Sequence, residues 1–137
     1  ILTLINILLT NKKIMTIGID FDGTLVSWNF PLVGKDIGAA KVCRDLVKKG
    51  VKIILYTMRN KEFLDDAVKW CKDNDIKLYG VNENPSQTWS DSRKVHADIY
   101  IDDQALGCPL KEDKSISDRP FVDWDKVRKV LEEENIL

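Results

Sequence analysis

Asp20 and Asp22 stand two residues apart, directly after the apolar run Met15 to Ile19, and are followed by Gly23 and Thr24. The run alternates as a buried strand does. At i, i+2 in an extended chain both carboxylates leave the same side. Two such groups at a strand end repel each other and lose solvation, so something must compensate them. An oxygen-seeking divalent cation, Mg²⁺ first among them, does so. Gly23 lets the backbone turn close to a ligand; the plainer reading is that Asp22-Gly23 only marks a turn. A second acidic pair, Asp102-Asp103, ends another apolar stretch, Ala97 to Ile101, and Thr57 with Met58 and Arg59 ends a third, Val51 to Tyr56. Lys94 lies just ahead of the stretch that Asp102 ends. A metal held by carboxylates, a carboxylate nucleophile, a hydroxyl beside a helix start and an ammonium together suit phosphoryl transfer.

These residues meet only if their strands lie side by side. Ala39, Val42, Cys43, Leu46 and Val47 repeat at helical spacing and predict a helix over Asp36–Lys49, stopped by Gly50. Phe63, Leu64, Ala67, Val68 and Cys71 predict a second, with Asn60 as its cap. Ile76 to Val81 reads as a further short strand. Asp123 opens a last helix with Trp124, Val127, Val130 and Leu131 inward. Strands alternating with helices imply an α/β fold: a three-layer, doubly wound, Rossmann-like and mostly parallel sheet with right-handed crossovers. In such sheets ligands bind beyond the carboxyl ends of the strands, which is where Asp20, Asp22, Thr57, Asp102 and Asp103 fall.

The run Asp20-Phe21-Asp22-Gly23-Thr24-Leu25 resembles the first motif of the haloacid dehalogenase-like (HAD) superfamily in its phosphatase form. Thr57 resembles the second motif, Lys94 (preferred to Arg93 on its spacing to the strand) the third, and Asp102-Asp103 the acidic pair of the fourth, in the family's order. The resemblance implies Asp20 as nucleophile, forming an aspartyl-phosphate, and Asp22 as the acid that protonates the leaving oxygen and then activates water. It implies Mg²⁺ held by the Asp20 carboxylate, the Asp22 backbone carbonyl and Asp102, with Asp103 close by. Thr57 and Lys94 would hold the phosphoryl oxygens. Members of this superfamily take their specificity from cap insertions, but Val26–Lys35 and Asn82–Ser92 are too short to be domains, so the resemblance is to the capless, minimal members. Both loops are expected to flank Asp20, carrying Trp28 and Trp89. Gly23, Thr24, Met58 and Arg59 are the remaining candidates for substrate contact, although Arg59 also reads as a solvated residue opening a helix. His96 reads as structural.

The 137 residues carry a net charge of −1, with +5 in residues 1–59 and −6 in residues 60–137. That balance gives no reason to expect nucleic acid or an anionic membrane as partner. A small phosphorylated substrate is the expected ligand. Cys43, Cys71 and Cys108 are odd in number and far apart, without metal-binding spacing, which suits reduced thiols in the cytoplasm. Ile1 to Leu9 is apolar but too short to span a bilayer. Residues 1–14 are expected to precede a natural start at Met15, ahead of a single catalytic domain over 15–137, and to pack on a neighbouring chain of a homo-oligomer. Two rival functions fit parts of the pattern. A phospho-acceptor signalling domain of the receiver type also clusters Asp, Thr and Lys around Mg²⁺, but puts its acidic pair after the first strand and its phosphorylated Asp after a later one. A binding module that has kept the fold without catalysis is the other.

Overall fold

The computed structural model of the chain describes residues 14–137, so the expectation for the N-terminal segment falls almost wholly outside the described residues. Four parallel strands form the sheet: β1 (Thr16–Ile19), β2 (Lys52–Leu55), β3 (Leu78–Val81) and β4 (Ile99–Ile101), in the order β3-β2-β1-β4. Helices α1 (Ala39–Lys48), α2 (Lys61–Asp73) and α3 (Trp124–Glu133) connect or follow them, and β5 (Leu110–Lys111) pairs antiparallel with β6 (Phe121–Val122). The α/β class and the parallel sheet agree with the sequence reading.

The layering differs from it. Ile17 and Ile19 of β1, Ile53 and Leu55 of β2 and Ile101 of β4 share one core with the apolar faces of all three helices. The chain steps from β1 to β2 to β3 in one direction, and right-handed crossovers taken in one direction leave both their helices on the same face. The opposite face is covered, among the described residues, by the irregular crossover from β3 to β4 rather than by a helix. There the Tyr100 hydroxyl donates to the Val95 carbonyl and accepts from the Ala97 amide, and Val95, Ala97 and Ile54 are buried. Gly18 in mid-strand makes room for this packing, since a Cβ there would sit 3.3 Å from the Tyr100 ring.

Several element details also shift. Helix α1 begins at Ala39 rather than Asp36, because the Asp36 carboxylate instead accepts from the Gly38 amide at 3.0 Å in a local turn. Asn60 occupies the cap position of α2 without a side-chain cap bond, whereas Asp123 does cap α3 through the Lys126 amide. Val130 is half-exposed rather than inward. All three cysteines are unpaired, with Cys43 and Cys71 buried. No helix among the described residues is long and apolar enough to cross a membrane.

Candidate active site at the carboxyl edge of the sheet

Register builds the site. Ile19 is level with Ile101 in β4 and with Leu55 in β2. The ladder runs one residue further, with the Asp20 amide donating to Ile101 O and the Tyr56 amide to Ile19 O. Asp20 and Asp102 therefore leave neighbouring strands at the same height. Oxygens of Asp20, Asp102 and Asp103 all lie within 4.8 Å of one another. Burial, first, and the charge of Asp102, second, push the Asp20 carboxyl up to about 8. Asp102 is raised too, chiefly by burial. Three converging carboxylate oxygens with like-charge repulsion among them are a donor set that fits a hard divalent cation such as Mg²⁺.

The turn after β1 holds this cluster together. The amides of Thr24, Leu25 and Val26 all donate to the Phe21 carbonyl. The buried Thr24 hydroxyl lies 3.1 Å from an oxygen of Asp20 and 3.1 Å from one of Asp103, and it accepts from the Asp103 amide at 3.0 Å. From behind, the buried Trp124 indole donates to the Thr24 carbonyl at 2.6 Å. Gly23 has φ of +80°, and a Cβ on it would stand 2.7 Å from an Asp103 oxygen. Its amide donates to Val26 O and its carbonyl accepts from the Val122 amide. Gly23 and Thr24, offered by the sequence as substrate contacts, shape the acidic cluster through these bonds and this close approach.

Asp22, offered by the resemblance as a cation ligand through its backbone carbonyl and as acid and base through its carboxylate, lines the cleft with Asp20. Its carboxylate is outside the acidic cluster and forms a two-pronged ion pair with Arg59, at 2.8 Å to Nε and 2.7 Å to Nη2. Both residues are buried, with Asp22 8% and Arg59 4% exposed. Arg59 also donates to the carbonyls of Leu32 and Phe63 and lies between the rings of Phe21 and Phe30. Arg59 is buried rather than the solvated residue that the sequence also offered, and it lines the cleft beside Asp20. The signal for it was the turn itself: a carboxylate buried beside a strand end needs a cation, and Arg59 is the cation that follows the neighbouring strand.

The remaining candidates separate. Thr57 lines a cleft of about 580 Å³ with Asp20, Asp102, Trp28, Phe30 and the almost fully exposed Met58. The Thr57 hydroxyl accepts from the Arg59 amide, and its own amide donates to the Asn82 side chain. Lys94 lines an adjoining hollow of about 280 Å³ with Asp20, Asp102, Tyr56 and Tyr100. Its backbone is held by Gln87, whose amide group bridges Lys94 O and the His96 amide. Trp28 stands at the cleft, as expected of its loop. Trp89 does not line it: its indole packs edge-on against His96, 5.3 Å between centroids. His96, read from the sequence as structural, lines neither the cleft nor the adjoining hollow. Two residues absent from the sequence reading do line the cleft, Gln104 and Arg119. Gln104 caps Asp102 through its amide at 2.8 Å. Arg119 arrives on the loop between β5 and β6, a stretch whose short strands give no periodic signal.

No protein-family model and no curated protein matches the chain. Among solved structures, a conserved protein from Bacteroides thetaiotaomicron is similar to it, with 31% identical residues over 89% of this chain and 93% of that one, and a TM-score of 0.73. At that identity and coverage, the chain belongs to the family of this conserved Bacteroides thetaiotaomicron protein.

Proposed function

We propose that the chain is a Mg²⁺-dependent phosphohydrolase that cleaves phosphomonoesters through an aspartyl-phosphate on Asp20. The observation that carries this reading is the convergence of Asp20, Asp102 and Asp103 oxygens at the floor of an open cleft. Asp20, Asp102 and Asp103 would hold the cation, which when bound neutralises their repulsion and draws charge from the phosphoryl oxygens. An Asp20 oxygen attacks phosphorus; the new O–P bond forms as the bond to the leaving oxygen breaks, and the leaving oxygen takes up a proton. Thr57 and Lys94, on either side of Asp20, supply donors to the phosphoryl oxygens. Water then attacks phosphorus, the bond from phosphorus to the Asp20 oxygen breaks, and inorganic phosphate leaves as the Asp20 carboxylate is restored.

For Asp22 to act as the acid and base of this scheme, one of its oxygens must leave Arg59. The guanidinium keeps the Leu32 and Phe63 carbonyls as partners when that happens, so it stays seated while the carboxylate turns. The same pair favours a second reading. If Asp22 stays on Arg59, the aspartyl-phosphate lacks a base to clear it and the chain acts as a phospho-acceptor.

Turnover of an aryl phosphate with Mg²⁺ and with chelator tests both. Hydrolysis by the wild type that depends on Mg²⁺ and is lost in Asp20→Asn is expected. An Asp20→Asn variant retaining more than about a hundredth of the rate, under ~2.7 kcal/mol of barrier, would overturn the nucleophile. Stoichiometric phosphate transfer to Asp20 without turnover selects the phospho-acceptor.

A further inference from the structure

Two cations line the Asp20 cleft, Arg59 and Arg119. Arg59 is fully engaged by Asp22 and backbone carbonyls. Arg119 makes no ion pair with any carboxylate among the described residues. Its guanidinium carbon lies 4.0 Å from the centroid of the Trp28 ring. A guanidinium laid on an aromatic face keeps its N–H donors at its edge, ready for an anion, and loses little freedom in using them. Trp28 leans on Phe30, and Phe30 on Phe63, at 6.4 and 5.4 Å between centroids, so the stack rests on an apolar wall anchored in α2. The ribbon that carries Arg119 is tied to the catalytic turn through the Val122 amide and Gly23 O, 3.0 Å apart.

Electrostatics gives this cation its purpose. Four aspartates line the cleft and Arg59 pairs with Asp22 alone, so the cluster of Asp20, Asp102 and Asp103 repels any substrate group bearing negative charge. The reacting phosphoryl has Lys94 in the adjoining hollow, with Asp20 and Asp102 common to both spaces. Arg119 stands at the aromatic wall instead. We propose that Arg119, laid flat on Trp28, is the specificity determinant of this site and selects phosphomonoesters that carry a second anionic group on an apolar body. The inference rests on the phosphohydrolase reading for its reaction, but its charge preference is a property of binding.

The test compares phenyl phosphate with 4-carboxyphenyl phosphate, which differ by one carboxylate. In the wild type kcat/KM for the carboxylated ester is expected to be higher by about tenfold, the order of one charge-assisted hydrogen bond, with the gain in KM. In Arg119→Gln the ratio should fall to near one, and Arg119→Lys should restore most of it. Calorimetric binding of the matching phosphonates to Asp20→Asn gives a readout free of turnover. No preference in the wild type, or a preference unchanged in Arg119→Gln, overturns the proposal. Charge-dependent binding without hydrolysis of either ester upholds the subsite and removes the phosphohydrolase reading.

Discussion

Thr24 has one hydroxyl proton and two carboxylates within reach of it, 3.1 Å to each. It can donate to Asp20 or to Asp103 at any moment, not to both, while its lone pair holds the Asp103 amide. One small side chain therefore sets the spacing between the two carboxylates from strands that are remote in sequence. Thr24→Val keeps the shape and removes both the donated bond and the bond accepted from the Asp103 amide. A buried amide left without its acceptor costs about 1–3 kcal/mol, so urea unfolding of this variant should lose that much. A loss below about 0.5 kcal/mol, the size of an ordinary surface change, would deny the hydroxyl its organising part. Gly23 makes the complementary demand on space. Gly23→Ala has to accommodate both a φ of +80° and a Cβ at 2.7 Å from Asp103. Such strain costs about 1–3 kcal/mol, and Mg²⁺ titration should find affinity weakened along with stability.

At the scale of elements, Arg59 joins three pieces that no local pattern connects: the turn after β1, the 26–35 loop and the start of α2. Its guanidinium meets Asp22, Leu32 O and Phe63 O at once. Arg59→Met should destabilise by about 3–5 kcal/mol, because it leaves the buried Asp22 charge unpaired. Adding Asp22→Leu should recover part of that loss; a double variant no better than the single would mean the pair matters through Arg59's carbonyl contacts alone. The strands and the faces of α1 and α2 were legible because their periods are regular. Asp20, Asp102 and Asp103 were legible as a site because each follows such a strand. Arg59 was not, since a lone arginine before a helix looks the same buried or solvated until its partner is placed. The ribbon of β5 and β6 has two residues per strand, too few for any period, so Arg119 stayed hidden with it. Trp89 misled for the opposite reason: its loop crosses behind the sheet, and loop membership says nothing about which way the crossover runs.

For the whole molecule, folding assembles an acidic cluster that the unfolded chain does not have, and that couples stability to pH. Asp20 in the folded protein titrates near 8, above the 3.8 of an ordinary carboxyl, with burial and Asp102 as the leading causes. The folded state then holds this proton more tightly than the unfolded one. Asp20 thus draws stability out of the metal-free protein as pH rises from the unfolded value through the folded one, a window of about 3.8 to about 8. Asp102 is raised as well and acts in the same direction. The half-buried Asp45 and Asp113 are lowered by Arg128 and by Ser115, and they act in the opposite direction within the acid range. Among the groups facing Asp20, Lys94 lines the adjoining hollow and Asp103 completes the cluster. Comparing wild type with Asp20→Asn cancels what they share. In chelator, Tm of the wild type relative to Asp20→Asn should fall between about pH 5 and pH 8, because only the wild type must give up the proton. Saturating Mg²⁺ binds the ionised cluster and should remove most of that fall, with the larger rescue at the higher pH. A pH-independent difference in Tm between the two proteins, or a rescue by Mg²⁺ equal at both ends of the range, would mean that Asp20 is not a titrating member of a cation site.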